Sequence, residues 1–142
     1  SCLLMVRATH HFADLPAVIK ELHRILEPGG VAVIEVANKR TLPKMFRYWF
    51  KKSKINPFDK KPSNLKNIDK DGFYNYHPAY VEDLFKKSGF EIDDILSVSN
   101  FRSQTMKKIF KTKTLVGLEK RIQKPLASLR FAPSLYYRLI KK

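Results

Sequence analysis

Residues 9–30, THHFADLPAVIKELHRILEPGG, decide the fold of this chain because they predict a capped helix followed by a tight turn. Asp14 stands at the expected N-cap, and Pro16 falls in the first turn, where its missing N–H costs no hydrogen bond. Pro28 cannot continue the helix, and the two glycines after it permit a tight turn. Apolar residues recur with the period of one helix face. They are Leu15, Val18, Ile19, Leu22, Ile25 and Leu26.

An apolar run lies on each side of this helix. The preceding CLLMVRA (residues 2–8) shows no alternation, which predicts a central parallel strand covered on both faces. The following VAVIEVAN (residues 31–38) predicts a second buried strand. A strand, a helix and a strand joined by short loops form a βαβ unit, whose crossover sets the two strands parallel. The sequence therefore predicts an α/β fold.

Helical or strand periodicity is weak in the next part of the chain. Residues 39–76 read as an irregular basic and aromatic insert, with helical spacing only around residues 42–52. An insertion of this length is usually functional or mobile. Residues 77–88 predict a helix with Pro78 in its first turn, and residues 90–101 predict a strand.

The C-terminal part combines a basic helix with a final strand. Residues 103–130 predict a basic amphipathic segment that is interrupted at Pro125. Residues 132–142 alternate in the manner of a strand, which we expect to be antiparallel. The side chains expected to face inward are Leu115, Leu118, Ile122, Leu126 and Leu129 in the helix, and Leu135, Tyr137 and Leu139 in the strand.

Length and composition indicate one globular domain. The 142 residues are 44% apolar, which is typical of a folded protein. No apolar run approaches the roughly 20 residues that span a bilayer, and no secretory signal pattern is visible. Cys2 has no possible disulfide partner within these residues, as in a reducing compartment, so we expect a cytoplasmic protein.

The charge is strongly basic and unevenly distributed. There are 28 basic and 13 acidic residues, for a net charge of +15. Residues 39–71 carry 11 basic and 3 acidic side chains, and residues 102–142 carry 12 and 1. These segments could attract phosphates, nucleic acid or an anionic membrane surface. The alternative is a solvated lysine-rich face that binds nothing in particular.

Taken together, these elements resemble a known family. LLMVRATHHFADLPAVIKELHRILEPGGVAVIEVAN resembles strands four and five, with the helix between them, of class I S-adenosylmethionine-dependent methyltransferases. HPAYVEDLFKKSGFEIDDILSVS resembles the next helix and strand six, and APSLYYRLIKK resembles the antiparallel strand seven. The residues in register with the family pattern are Glu21, Arg24, Leu26, Pro28, Gly29, Gly30, Gly89 and Phe90.

The resemblance implies a Rossmann-like methyltransferase fold whose N-terminal cofactor-binding half is missing. In this family, S-adenosylmethionine provides a methyl group to an O, N or C atom of an acceptor. Because residues 1–142 begin with Ser1 inside a strand, we expect one partial methyltransferase domain cut from a longer protein. The family's glycine-rich loop and acidic residue are not in this sequence, so the fragment alone is expected to be inactive. Its uncovered strand edge predicts self-association.

The resemblance also implies site residues at the end of the first strand. Ligands of α/β sheets bind off the carboxyl ends of strands, which places Val6, Arg7, Ala8 and Thr9 near the cofactor. Arg7 is unexpected beside a cation, and its side chain could instead turn to solvent or to an acidic substrate.

Two histidines occupy the family's paired position before the helix. His10 and His11 are the candidate catalytic residues, one of them orienting the acceptor or taking its proton. The alternative for His11 is a capping or backbone-bonding role.

The insert carries the candidate acceptor pocket, with Phe50, Tyr74, Tyr76 and His77 as its lining. Alternatively, these aromatic residues form a small satellite core. The acceptor is expected to be a small molecule, a lipid or a nucleotide-linked compound. The four histidines include no pair spaced by four residues, so no metal site is predicted.

A function from a different class competes with methyl transfer. The chain could be a non-catalytic basic module that binds nucleic acid or an anionic membrane surface, with affinity that falls steeply with salt.

Overall fold

A computed structural model describes residues 1–64, 73–101, 108 and 111–142. Its elements follow in the order β1 (Cys2–Met5), a 3₁₀ turn (Thr9–His11), α1 (Leu15–Ile25), β2 (Val31–Ala37), α2 (Leu42–Trp49), β3 (Ser63–Asn64), β4 (Tyr74–Asn75), α3 (Pro78–Lys87), β5 (Phe90–Val98), α4 (Thr112–Ala127) and β6 (Ser134–Lys141). The predicted α/β class is confirmed.

Helix α1 forms as the sequence predicts. The Asp14 carboxylate caps it by accepting a hydrogen bond from the Ala17 N–H at 3.0 Å. Leu15 and Ile19 are buried in the core. Ile25 was expected to face inward, but it is 52% exposed. It lies at the last position of the helix, where the chain already turns away toward β2.

The turn between α1 and β2 depends on both of its glycines. Gly29 has a φ of +75°, in the left-handed region that side chains disfavour. A Cβ atom on Gly30 would lie 2.8 Å from the carbonyl oxygen of Glu27. Both glycines therefore allow the close return of the chain into β2.

The main sheet has the strand order β1-β2-β6-β5. Strands β1 and β2 are parallel, which confirms the βαβ unit, and β6 runs antiparallel to both of its neighbours, as predicted. In this chain β1 lies at an edge of the sheet rather than at its centre. Leu4 on that strand is 70% exposed, so the expectation of a strand covered on both faces is wrong here.

One face of the sheet forms the core. Leu135, Tyr137 and Leu139 are all buried on it, which confirms the predicted alternation of β6. The ring of Tyr137 meets that of Phe85 from α3 at a centroid distance of 5.3 Å. Other members of the cluster are Leu15, Ile19, Ile34, Val36 and Val81.

The basic helix differs from its prediction in two respects. Helix α4 continues through Pro125 to Ala127, because a proline near the end of a helix removes only one late hydrogen bond. Leu118 and Leu129 are 43% and 50% exposed, although they were expected to face inward. Part of the predicted segment, residues 103–107 and 109–110, lies outside the described residues.

The irregular insert contains α2 and the short β3–β4 ladder, and its residues 65–72 lie outside the described part of the chain. Among the described residues, no helix has both the length and the apolar character needed to cross a membrane.

Asn38 joins three parts of the chain at the end of β2. Its side-chain amide donates hydrogen bonds to the carbonyl oxygens of Arg40, Arg130 and Ala132 at 3.1, 2.7 and 2.8 Å. Its side-chain oxygen accepts from the Arg40 N–H at 2.7 Å, and its backbone N–H donates to the carbonyl of Pro133. With 1% of its surface exposed, Asn38 fixes the start of the insert against the entry to β6.

We expect Asn38→Ala to lower the free energy of unfolding by about 2–4 kcal/mol, because it leaves several buried carbonyl groups without a donor. Urea unfolding measures this loss. Asn56→Ala is the matched control, since Asn56 makes one side-chain bond to the Phe58 N–H in an exposed turn. A similar loss in both variants would show that Asn38 has no special role.

Candidate functional site

An open cleft of about 940 Å³ lies at the carboxyl ends of the parallel strands. Its lining includes the residues after β1 and the last residues of β2 and β5. The first residue of β6 lies at the same edge, because β6 runs antiparallel to β2. Helix α4 contributes the opposite wall. This is the edge at which α/β sheets bind ligands. Lining residues include Arg7, Thr9, His10, Glu35, Lys44 and Phe73.

The turn after β1 is tied to β2 by two hydrogen bonds. The backbone N–H of Arg7 donates to the carboxylate of Glu35 at 3.0 Å, and the hydroxyl of Thr9 donates to the Glu35 carbonyl at 2.8 Å. Arg7 has a φ of 54°, a conformation that is strained for a residue with a side chain. Glu35 therefore sets the position of this wall of the cleft.

Glu35 places a carboxylate in the cleft, and the sequence analysis did not single it out. The hydroxyl of Tyr136 donates to it at 3.2 Å, in addition to the bond from Arg7. Burial, and then the neighbouring Glu35, raise the pKa of Tyr136, so the phenol stays a donor. The signal available in the sequence is one charged residue in the otherwise apolar strand VAVIEVA.

The two histidines contact one another but differ in position. Their ring centroids are 4.1 Å apart, and His10 also lies 4.2 Å from the ring of Phe73. Of the two, His10 lines the cleft and His11 is exposed. Burial, followed by the proximity of His11, lowers the pKa of His10. The neutral imidazole, which can accept a proton, is therefore favoured near neutral pH.

Lys44 brings an amine to the cleft from α2. Its Nζ donates to the carbonyl of Asn38 at 2.8 Å and to the side-chain oxygen of Asn75 at 3.4 Å. Burial, and then the nearby Lys39, lower the pKa of Lys44 to about 8. No sequence signal distinguishes Lys44 from the other basic residues of the insert.

Asn75 offers an unused donor at the cleft wall. It is 5% exposed, and its side-chain nitrogen has no hydrogen-bond partner among the described residues. A buried amide N–H without an acceptor is costly unless a ligand or water supplies one. Asn75 also lines the cleft, so its side chain is a candidate contact for a bound molecule.

The predicted cofactor residues are divided between the cleft and its surroundings. Arg7 and Thr9 line the cleft, while Val6 and Ala8 are not among the residues that line it. Val6 is 40% exposed.

The four predicted acceptor residues lie outside the lining of the cleft. Tyr76 is buried, and its hydroxyl donates to the carbonyl of Phe12 at 2.6 Å. His77 caps α3, with Nδ1 accepting from the Ala79 N–H at 3.2 Å. Phe50 is 70% exposed, and Tyr74 stacks on Tyr76.

The cleft is instead lined by Phe73, just before β4, and by Asn75 in β4, which alternate along the chain with Tyr74 and Tyr76. Successive side chains of a strand point to opposite faces, so a shift of one residue changes which side chains reach the cleft. Within the described parts of the chain, no cluster of three or more His, Cys, Asp or Glu side chains could hold a metal ion.

We expect the free energy of unfolding to rise between about pH 8 and pH 10.5 because of Lys44. In that range the folded amine has released its proton while the unfolded amine, with its ordinary pKa of 10.5, retains it, so the unfolded state binds more protons. The rise is on the order of 2–3 kcal/mol. Urea unfolding at both pH limits should show it in the parent protein and in the exposed-lysine control Lys87→Met. In Lys44→Met the free energy of unfolding should not show the increase that comes from Lys44. If its pH dependence equals that of the parent protein, the lowered pKa of Lys44 is contradicted.

Comparisons with known proteins agree with this architecture. A family model described as "Methyltransferase domain" matches residues 1–95. A solved S-adenosylmethionine-dependent methyltransferase of Thermotoga maritima, described as a possible histamine N-methyltransferase, aligns with 99% of this chain and 55% of its own, at 17% identity and a TM-score of 0.58. A putative S-adenosylmethionine-dependent methyltransferase of Listeria monocytogenes aligns with 99% of this chain and 61% of its own, at 13% identity and a TM-score of 0.58.

At these identities the two structures show a shared fold, and the chain spans 55% and 61% of their lengths. No curated protein matches the chain. These comparisons do not support the alternative of a non-catalytic binding module. Because the family model covers residues 1–95 of 142, the chain belongs to the methyltransferase domain family and has its Rossmann-like α/β fold.

Proposed function

We propose that the protein containing this chain is an S-adenosylmethionine-dependent methyltransferase that methylates an O, N or C atom of a small-molecule acceptor. The observation that carries the proposal is the cleft at the carboxyl ends of β1 and β2, in a chain of the methyltransferase domain family. Since the chain spans 55% and 61% of its structural neighbours, we assign the activity to a longer protein and expect residues 1–142 alone to be inactive.

The side chains of the cleft fit the proposed cofactor. S-adenosylmethionine carries cationic sulfonium and ammonium groups, a carboxylate and ribose hydroxyls. The Glu35 carboxylate suits a cationic group, and the unpartnered amide of Asn75 suits an acceptor atom. When bound, this cofactor supplies an activated methyl group with a good leaving group.

The segment Val6, Arg7, Ala8 and Thr9 is proposed to form part of the cofactor wall. Two hydrogen bonds to Glu35 hold its backbone in place, so this wall requires little reorganisation when a ligand binds. The Arg7 side chain is exposed, and we propose that it extends toward solvent or an acidic group of the acceptor rather than toward the sulfonium.

His10 is proposed to accept the proton that the acceptor loses. It lies in the cleft, Phe73 packs on its ring, and its lowered pKa keeps the imidazole neutral. His11 is proposed to hold the ring of His10 in place through their contact. The remaining task of the protein is to align the acceptor and exclude water.

Behind the cleft, Tyr74, Tyr76 and His77 are proposed to support the acceptor wall, with Phe73 and Asn75 facing the acceptor. Phe50, which is exposed at the end of α2, is proposed to lie near the mouth of the acceptor site.

We expect His10→Gln to lower kcat about 100-fold in the intact protein, in line with the loss of a general base. Release of S-adenosylhomocysteine measures the rate with panels of amines, phenols and acids, free or linked to lipids and nucleotides. His11→Gln removes only the ring contact that positions His10, so its loss of kcat should be much smaller, about threefold. Calorimetry should show unchanged cofactor binding in His10→Gln.

The pH profile provides a second test of the same group. Because burial lowers the pKa of His10 from the usual 6.5 of a histidine, the midpoint of the acidic rise in kcat/KM should lie below pH 6.5. Failure of the intact protein to bind S-adenosylmethionine would refute the proposed function. Full activity of His10→Gln would refute only the role of His10.

A further inference from the structure

Helix α2 presents its apolar face to the outside. Leu42, Phe46 and Trp49 recur at four- and three-residue spacing and therefore lie on one side of the helix. They are 48%, 53% and 64% exposed, and Phe50, directly after the helix, is 70% exposed. No residue of α2 is buried. This arrangement is the reverse of an ordinary surface helix, whose apolar side faces the core.

Polar contacts attach the opposite side of α2 to the protein. The Lys44 amine donates to the Asn38 carbonyl at 2.8 Å, and the Thr41 hydroxyl caps the helix by accepting from the Lys44 N–H. Tyr48 contacts the ring of Phe58. The Lys44 amine therefore holds one side of α2 toward the protein, and within the described part of the chain the apolar side faces outward.

The exposed side chains form one patch surrounded by cations. The rings of Phe46 and Trp49 meet edge to face, with centroids 6.0 Å apart. Residues 39–54 contain seven basic side chains and no acidic one. The exposed cations of this segment are Arg47, Lys51, Lys52 and Lys54.

We propose that this patch, formed by Leu42, Phe46, Trp49 and Phe50 with the flanking cations, docks on an anionic lipid bilayer. A helix with aromatic and leucine side chains on one side and Lys or Arg around them suits the boundary between headgroups and acyl chains. The apolar side chains enter that boundary, and the cations pair with lipid phosphates.

Charge complementarity favours a lipid surface over a second copy of the chain. Each copy carries a net charge of +15, so pairing two such patches would place the four exposed cations Arg47, Lys51, Lys52 and Lys54 against the same four of the other copy. Nucleic acid would match the cations, but it offers no apolar phase for Leu42. The docking does not depend on the proposed methyl transfer.

The test titrates the intact protein with vesicles of phosphatidylcholine containing 30% phosphatidylglycerol, and with vesicles of phosphatidylcholine alone, at about 0.1 M salt. We expect sedimentation with the anionic vesicles and a blue shift of Trp49 emission that is absent in Trp49→Phe. The double variant Phe46→Gln/Phe50→Gln should bind at least tenfold more weakly. Leu129→Gln, a change at another exposed apolar residue, should bind normally.

A second pair of variants tests the cations. Lys51→Gln/Lys52→Gln should weaken binding to anionic vesicles severalfold, while Lys86→Gln/Lys87→Gln at the end of α3 should not. Thermal unfolding verifies that each variant is folded. The proposal is overturned if the Trp49 emission does not respond to anionic vesicles, or if the Phe46→Gln/Phe50→Gln variant binds like Leu129→Gln. Two further results would also overturn it. One is the formation of concentration-dependent dimers that protect Trp49, and the other is binding of duplex DNA through this patch when vesicles do not bind.

Discussion

The hydrogen bonds of Asn38 are the constraint on which the rest of this structure depends. The side chain connects the end of β2 with the carbonyls that lead into β6, and the backbone carbonyl receives the Lys44 amine from α2. The sheet, the cleft wall and the insert therefore meet at one buried residue. Buried polar groups need such partners, so the hydrogen bonds of Asn38 tie α2 to the end of β2 and to the entry of β6.

Burial acts in the same direction on His10 and Lys44, two of the basic groups of the cleft. It lowers the pKa of both His10 and Lys44, because a low-dielectric surrounding disfavours the charged form of a base. Glu35 remains the acidic partner, held by Arg7 and Tyr136. The cleft thus combines the carboxylates of Glu35 and Glu119 with groups that can exchange protons near neutral pH, which suits a polar or zwitterionic ligand.

The insert contributes residues both to the cleft and to the outer surface of the molecule. Its inner side contributes Lys44, Phe73 and Asn75 to the cleft, and its outer side carries the exposed patch of α2. Among the described residues, Lys44 forms hydrogen bonds on the inner side of α2, while Leu42, Phe46 and Trp49 are exposed on its outer side. An insert that lines a ligand cleft and also docks on a surface would hold that cleft beside the surface.

Local sequence alone determined the βαβ unit of β1, α1 and β2, because caps, helical period and turn glycines act over a few neighbouring residues. It also determined the alternation of β6. The candidate site depended on tertiary structure. Glu35 and Lys44 come from separate elements, and the packing of residues 73–76 brings Phe73 and Asn75, rather than Tyr74 and Tyr76, to the cleft. The alternation of side chains along an extended segment predicts that it has two faces. Only the packing of that segment against its neighbours decides which face reaches the cleft.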